Sequence, residues 1–258
     1  MRIFGDGTRA RARDSALDPH ENPCSLKAAA RQIGRIAPAT QPDYFRKSFD
    51  KVRTEEGANM FTFASVKTVH GIATLRDLRS ADLPAILDYW RFSAAEVLDF
   101  MGVHRQSLGS TEDIHRRFMN AMRTDDPGQP TMAFAITLDT RLVGYTLLHR
   151  YSDEINYSHW HIIGSDLRGK GLSTALYPQR IKAYFDVAPI SRLIHQTRTR
   201  NLGVNRMLDK FIAVSETKWI DKPDGVASPG EFHIRFVRRE DIPRFFVRAV
   251  ELATIPGT

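Results

Sequence analysis

The sequence predicts an α/β fold, and three observations carry that prediction. Strand-like alternation and helix-like stripes interleave over residues 71–252. One strand-like run, ending at Ile163, passes directly into a glycine-spaced turn and then into a helical run. The 42% hydrophobic and 26% charged content of 258 residues is that of a globular chain with ample material for a core.

The elements follow in order. Residues 1–25 hold Gly, Pro, Arg and Asp without an apolar period and read as a flexible tail. Residues 25–33 read as a short basic helix and residues 42–54 as a further helical turn. Residues 55–59 read as a loop, and 61–69 alternate like a strand. A division near His70 makes residues 1–70 a basic N-terminal extension and 71–258 the main domain. In that domain residues 72–78 alternate as a strand, and Asp82 is placed to cap a helix with Pro84 in its first turn. Leu83, Ile86, Leu87 and Trp90 form the stripe of that helix. More helix is expected over residues 93–101, and Ser110 or Thr111 opens another, with Ile114, Phe118 and Met122 on one face. Residues 125–130 are a break. Three closely spaced strands follow over 132–138, 142–148 and 154–163. Asp139-Thr140 joins the first two without the usual glycine. After the glycine turn come a helix to Phe185, a strand over 192–197 and a helix over 201–211. Strands over 214–220 and 231–237 and a helix over 241–252 complete the chain. Residues 76–84 and 235–243 echo each other as strand, turn and proline-started helix, without a second glycine turn.

Charge and cysteine content narrow the partners. A formal charge of +7 and a pI near 9.7 suit anionic partners without choosing among them. Cys24 is the single cysteine, which excludes a disulfide framework and favours a reducing, cytoplasmic setting. No apolar run approaches the ~20 residues of a bilayer span.

The turn itself is Arg168-Gly169-Lys170-Gly171-Leu172-Ser173. Glycines let the backbone approach a ligand closely, and the first N–H groups of the following helix have no internal acceptors. Arg168 and Lys170 add positive charge. Such a turn is suited to a pyrophosphate. The Gly-x4-Gly-Lys-Ser/Thr order of a P-loop is missing, and the glycines stand too late in the chain for a dinucleotide fold.

With these neighbours the chain resembles the GNAT N-acetyltransferase superfamily over roughly residues 71–238. It is most similar to the branch that acetylates ribosomal-protein N-termini. The family's acetyl-CoA signature of Arg or Gln, two residues, Gly, one residue, and Gly or Ala is matched by Arg168 to Ser173, with Ser173 in the last position. The resemblance implies a mixed, mostly antiparallel central sheet flanked by helices. It also implies acetyl-CoA as cosubstrate, a primary amine of a small molecule or peptide as acceptor, and backbone contacts from Ile162 and Ile163 to the pantetheine. A second family signature is partly kept: Asn201, Asp209 and Lys210 are present, and Ile212-Ala213 replaces Gly-Phe. Asn201 and Asn205 of that helix are expected on the cofactor side. The tyrosine that many members use as general acid would fall at Leu208.

Acetyl transfer to an amine also needs a base and a group that stabilises the oxyanion. Glu154, His159 and His161 are the titratable candidates on the strand leading to the turn. His159 and His161 share one strand face with Tyr157. No third ligand is spaced to make that pair a metal site. The leading reading is an acetyl-CoA-dependent N-acetyltransferase, compatible with a homodimer. A non-catalytic acyl-CoA-binding module of the same shape is the alternative, and a nucleic-acid-binding protein contacting through its basic tail is the third.

Overall fold

The computed structural model describes residues 51–53, 59–124, 126, 128–223 and 226–254, all within one unit, Ser48–Thr258. The tail and the helix expected at 25–33 lie outside the described residues. The helical turn expected over 42–54 is corrected where it is described. Lys51–Arg53 form a short strand, β1, paired antiparallel with the start of β2, Asn59–Thr68. The bend at His70 is a hairpin turn, because β2 pairs through it with β3, Gly71–Asp77.

The remaining strands are β4 (Thr131–Leu138), β5 (Arg141–Arg150), β6 (Ile155–Ile162), β7 (Arg192–Arg198), β8 (Glu216–Ile220) and β9 (Gly230–Arg238). They make one nine-stranded sheet in the order β1-β2-β3-β4-β5-β6-β7-β9-β8. Every pairing is antiparallel except β6 with β7, so the expected mixed, mostly antiparallel sheet is present. Asp139 makes the glycine-free turn between β4 and β5 work. It adopts a left-handed φ of 52°, and its carboxylate accepts the N–H of Ile72 at 2.9 Å.

Helices cover both faces. On one lie α1 (Leu83–Phe92), α2 (Ala95–Met101) and α3 (Thr111–Ala121), which bury Leu83, Ile86, Trp90, Leu98 and Phe118 against Ala133, Ala135 and Tyr145 of the sheet. Ser110 caps α3 as expected, its hydroxyl accepting the N–H of Asp113 at 3.1 Å. Asp82 does not cap α1 with its side chain. Its carboxylate takes both Arg76 guanidinium nitrogens at 2.7 Å and the Arg79 N–H at 2.8 Å.

The other face carries α4 (Leu172–Val187) and α6 (Ile242–Thr254), with α5 (Leu202–Leu208) after β7. The α4 helix runs unbroken through Pro178, and Tyr177, Ile181, Tyr184 and Phe185 on its stripe are fully buried. That burial offsets the ~3 kcal/mol an interior proline costs. The echo between residues 76–84 and 235–243 is structural. Arg79 and Arg238 each open a three-residue 3-10 turn, with φ −116° and −117°, before a helix with proline at its second position.

One residue of this layer runs against its surroundings. Arg180 of α4 is 1% exposed, its guanidinium stacks 3.8 Å from the Trp160 ring centroid, and none of its three nitrogens has a protein partner. Burying a charge without a counter-charge is costly, and apolar replacements at such sites often gain ~1–4 kcal/mol. Arg180→Met is therefore expected to raise the unfolding midpoint in a denaturant titration, and a midpoint lowered by the substitution would contradict this account.

Candidate functional site

β6 and β7 are paired only over Ile155–Tyr157 and Arg192–Ile194. Beyond that point β6 pairs only with β5, and β7 continues along β9. A wedge thus opens between two neighbouring strands, and β6 leaves it at the glycine turn. The β5 backbone guides that exit: Val143 O accepts the N–H groups of Ile163 at 2.9 Å and Gly164 at 3.3 Å. Gly144 is required for the close approach, since a Cβ there would lie 2.5 Å from His161 O.

The turn is built as an open cradle. Ser165–Leu167 form a 3-10 turn, and Lys170 N donates to Leu167 O at 3.2 Å. Gly169 and Gly171 then adopt φ of 74° and 80°, which only glycine takes without strain. Nothing stands within 4 Å of where a Cβ would project at either position. Ala175 N to Gly171 O, at 3.0 Å, closes the first turn of α4. Among the described residues no backbone group accepts from the N–H of Gly169, Gly171, Leu172, Ser173 or Thr174. Leu172 anchors this end in the core, 2% exposed, and His70 Nε2 braces it against Lys170 O at 3.3 Å. Unpaired N–H groups at a helix start, beside an exposed lysine and an open surface, suit an anion.

Arg168 points elsewhere. Its Nε donates to Ile162 O at 3.1 Å, and its guanidinium carbon lies 5.7 Å from the centroid of the Tyr89 ring. This brings Tyr89 of α1 to the end of β6, where its hydroxyl meets His161 Nδ1 at 3.1 Å and Met101 Sδ at 3.2 Å. Burial pushes the Tyr89 phenol up to about 12 despite the nearby Arg168. Burial, and then Arg168, push His161 down to about 3, so the ring is neutral. His159, next along the same face, is held well below 6.5 by burial and by His149 and His161.

The opposite face of β6 carries a second cluster. His195 of β7 joins Ser158 Oγ at 3.2 Å and Tyr177 OH at 3.1 Å, all buried. Burial, then Arg180, pushes His195 down to about 3. The sign for stability follows. Unfolded histidines titrate near 6.5, so below about pH 6.5 the unfolded chain takes up protons that folded His195, His159 and His161 refuse. Stability is present above that pH and is lost on acidification, His195 alone contributing about 1.4 kcal/mol per pH unit down to its folded pKa. Thermal unfolding followed from about pH 8 to pH 5 is expected to show a falling midpoint in the lower half of the range. A flat profile there would contradict the three depressed histidines.

The structure brings Ile162, Ile163, His161 and residues 168–173 together at one end of β6. It does not bring Glu154 there. Glu154 precedes β6 at its far end, roughly 25 Å away along the strand, and its carbonyl accepts from Ser191 and Arg192. Asn201 caps α5 by accepting the N–H of Val204 at 3.4 Å. Asn205 is buried in the frame: its amide donates to Arg198 O and Thr199 O at 2.8 and 3.2 Å and accepts from Arg235 at 3.0 Å. Tyr89 was not singled out from sequence. Among the described residues no group of three His, Cys, Asp or Glu is arranged to hold a metal ion, and no helix is long and apolar enough to cross a membrane.

Residues 73–211 match the family model described as the acetyltransferase (GNAT) domain. No curated protein matches the chain. Among solved structures, the chain is similar to RimJ from Mycobacterium smegmatis in complex with CoA-disulfide, at TM-score 0.58 and 16% identity over 74% of this chain and 94% of that one. It is also similar to the ribosomal-protein-S5-alanine acetyltransferase from Vibrio fischeri, at TM-score 0.55 and 12% identity over 69% and 98%. The aminoglycoside acetyltransferase AAC(6')-Ib in complex with coenzyme A matches at TM-score 0.52 and 16% identity over 67% and 98%.

Proposed function

Since the chain belongs to the GNAT acetyltransferase family, we propose that it is an acetyl-CoA-dependent N-acetyltransferase acting on a primary amine. The observation that carries this reading is the cradle of unpaired N–H groups at Gly169, Gly171, Leu172, Ser173 and Thr174, with open space beside both glycines. It fits a pyrophosphate. Acetyl-CoA, the family's cosubstrate, supplies an acetyl thioester. The backbone of residues 169–174 holds the pyrophosphate, with Lys170 adding charge, while Ile162 and Ile163 present backbone groups along the pantetheine.

The proton budget argues against a histidine base. An ordinary alkylammonium titrates at about 10.4, so passing its proton to an imidazole held far below its ordinary value is steeply uphill. His161 instead stays neutral and positions the Tyr89 phenol. At neutral pH that phenol is protonated, and beside the turn it is a hydrogen-bond donor for a developing oxyanion. The amine then sheds its proton to water before it reaches the thioester. His159 is equally unsuited as a base, and Glu154 stands at the wrong end of the strand.

A second reading, binding of acyl-CoA without turnover, draws on Leu208. It is 0% exposed and carries no hydroxyl where many members of the family place their acid. The test is direct. Purified protein is expected to gain thermal stability with CoA, and to release free thiol from acetyl-CoA when a primary amine is added. Stabilisation without thiol release across an amine panel would leave the binding module standing, and no response to CoA would sink both readings.

A further inference from the structure

Past its pairing with β6, strand β7 runs on from His195 to Arg198 along β9. Its last residue is fixed from the core side. The Asn205 amide donates to Arg198 O at 2.8 Å, and Asn205 is itself held by the fully buried Arg235. From there the Arg198 side chain reaches two segments that are far apart in sequence. Its Nη1 donates to Ser228 O at 3.3 Å and to Pro229 O, and its guanidinium carbon lies 5.2 Å from the Phe232 ring centroid. The second segment is the end of α2, where Gly102 turns the chain with a φ of 76°. A Cβ at Gly102 would lie 2.5 Å from Arg198 Cγ, and one at Gly230 would overlap the guanidinium. Two glycines therefore leave room for one arginine.

The two segments are joined into a strap. Val103 bridges to Ala227, His104 N donates to Val226 O at 3.2 Å, and Gly102 O accepts Ser228 N at 2.7 Å and Ser228 Oγ at 3.0 Å. Val103 and Val226 pack on the same apolar cluster as Tyr89 of α1 and Ile163 at the end of β6. The strap is thus tied to β7 through Arg198 and rests toward the end of β6 through its valines, reaching across where those strands no longer pair. Ordering two surface segments costs conformational entropy, and a guanidinium donating to two carbonyls offsets part of it. Arg200, two residues on, makes only an exposed ion pair with Asp99 of α2, at 2.8 Å. Resting on the acetyltransferase reading, we propose that Arg198 is a positioning residue for that reaction. By clamping the strap it keeps fixed a wall against which the acceptor amine is aligned, and it touches neither substrate.

The experiment measures thiol release from acetyl-CoA with the best acceptor among phenethylamine, spermidine, kanamycin and a short peptide with a free N-terminus. Arg198→Ala is expected to raise the acceptor KM by about 10-fold, with kcat within about 3-fold and the thermal response to CoA unchanged. Arg200→Ala, which removes the same charge without the clamp, should leave the acceptor KM within about 2-fold. Gly102→Ala disturbs the clamp from the other side and carries the test should Arg198→Ala fail to fold. It should raise KM by about 5-fold in the native chain and by less than about 2-fold in the Arg198→Ala chain, because the two share one contact. An unchanged KM in Arg198→Ala, an equal rise in Arg200→Ala, or a weakened CoA response would overturn the proposal. Should no amine turn over, hydrogen exchange decides it. The amides of His104 and Ser228 are then expected to exchange about 10-fold faster or more in Arg198→Ala, with those of β4 and β5 unchanged, and unaltered protection overturns the clamp. Failure of the acetyltransferase reading is distinguishable, because it shows as absence of any response to CoA in the native chain.

Discussion

Gly171→Val is expected to lower the affinity for CoA by about 100-fold while leaving the chain folded. The residue stands at φ 80°, a left-handed conformation that an L side chain adopts at a cost of ~1–2 kcal/mol, and more when β-branched. No neighbour within 4 Å would clash with the added Cβ, so the folded protein bears only that local strain. The ligand bears more. The isopropyl group fills the open space beside the unpaired N–H groups, and losing one or two charge-assisted hydrogen bonds, each worth ~1.5–3 kcal/mol, corresponds to about two decades in Kd. Titration calorimetry with CoA measures this directly, beside an unfolding curve without ligand. Affinity within about 3-fold of the original would mean that the pyrophosphate sits elsewhere.

Asp82→Ala is expected to be the most destabilising of the substitutions considered. Arg76 and Asp82 are joined by two 2.7 Å hydrogen bonds, with side chains only 11% and 8% exposed. Truncating the acid leaves a guanidinium nearly out of water with one remaining acceptor, Asp77 O at 2.8 Å, and removes the acceptor of the Arg79 N–H. Breaking a buried pair from one side typically costs ~3–5 kcal/mol. At ~2–4 °C per kcal/mol for a domain of this size, the midpoint should drop by about 10 °C. The double substitution Arg76→Met with Asp82→Leu should recover most of the loss, because it removes the stranded charge along with the pair. If the double variant were as unstable as the single one, packing rather than charge would be responsible.

Much of this architecture was legible in the residues because it depends on local pattern. The stripe of Leu83, Ile86 and Trp90 forms the buried edge of α1, and the glycines at 169 and 171 adopt the backbone that their type permits. What was illegible depends on chain segments meeting across the fold. Lys51–Arg53 is too short to carry a period, and only its pairing with β2 makes it a strand. Glu154 is close in sequence to His159, yet strand direction carries it to the opposite end. Asn205 has the polarity of a ligand contact, but Arg235, thirty residues away in sequence, claims its oxygen. Asp82 has the chemistry of a cap and is drawn instead to Arg76. Tyr89 gains its place through Arg168 of the glycine turn and His161 of β6, which no local pattern links to α1.

The three-residue pairing of β6 with β7 gives the sheet a mechanical character. Strands β1 to β6 form one plate and β7, β9 and β8 a second, and among the described residues strand pairing joins the plates over Ile155–Tyr157 alone. Side chains on the α4 side, His195 clasped between Ser158 and Tyr177, act as the latch across that hinge. A chain-like molecule entering from the splayed end breaks no strand pairing, because none exists there to be broken. Once seated, it would staple the two plates together, so amide protons of β6 beyond Tyr157 and of β7 beyond Ile194 are the ones whose exchange a bound ligand should slow most.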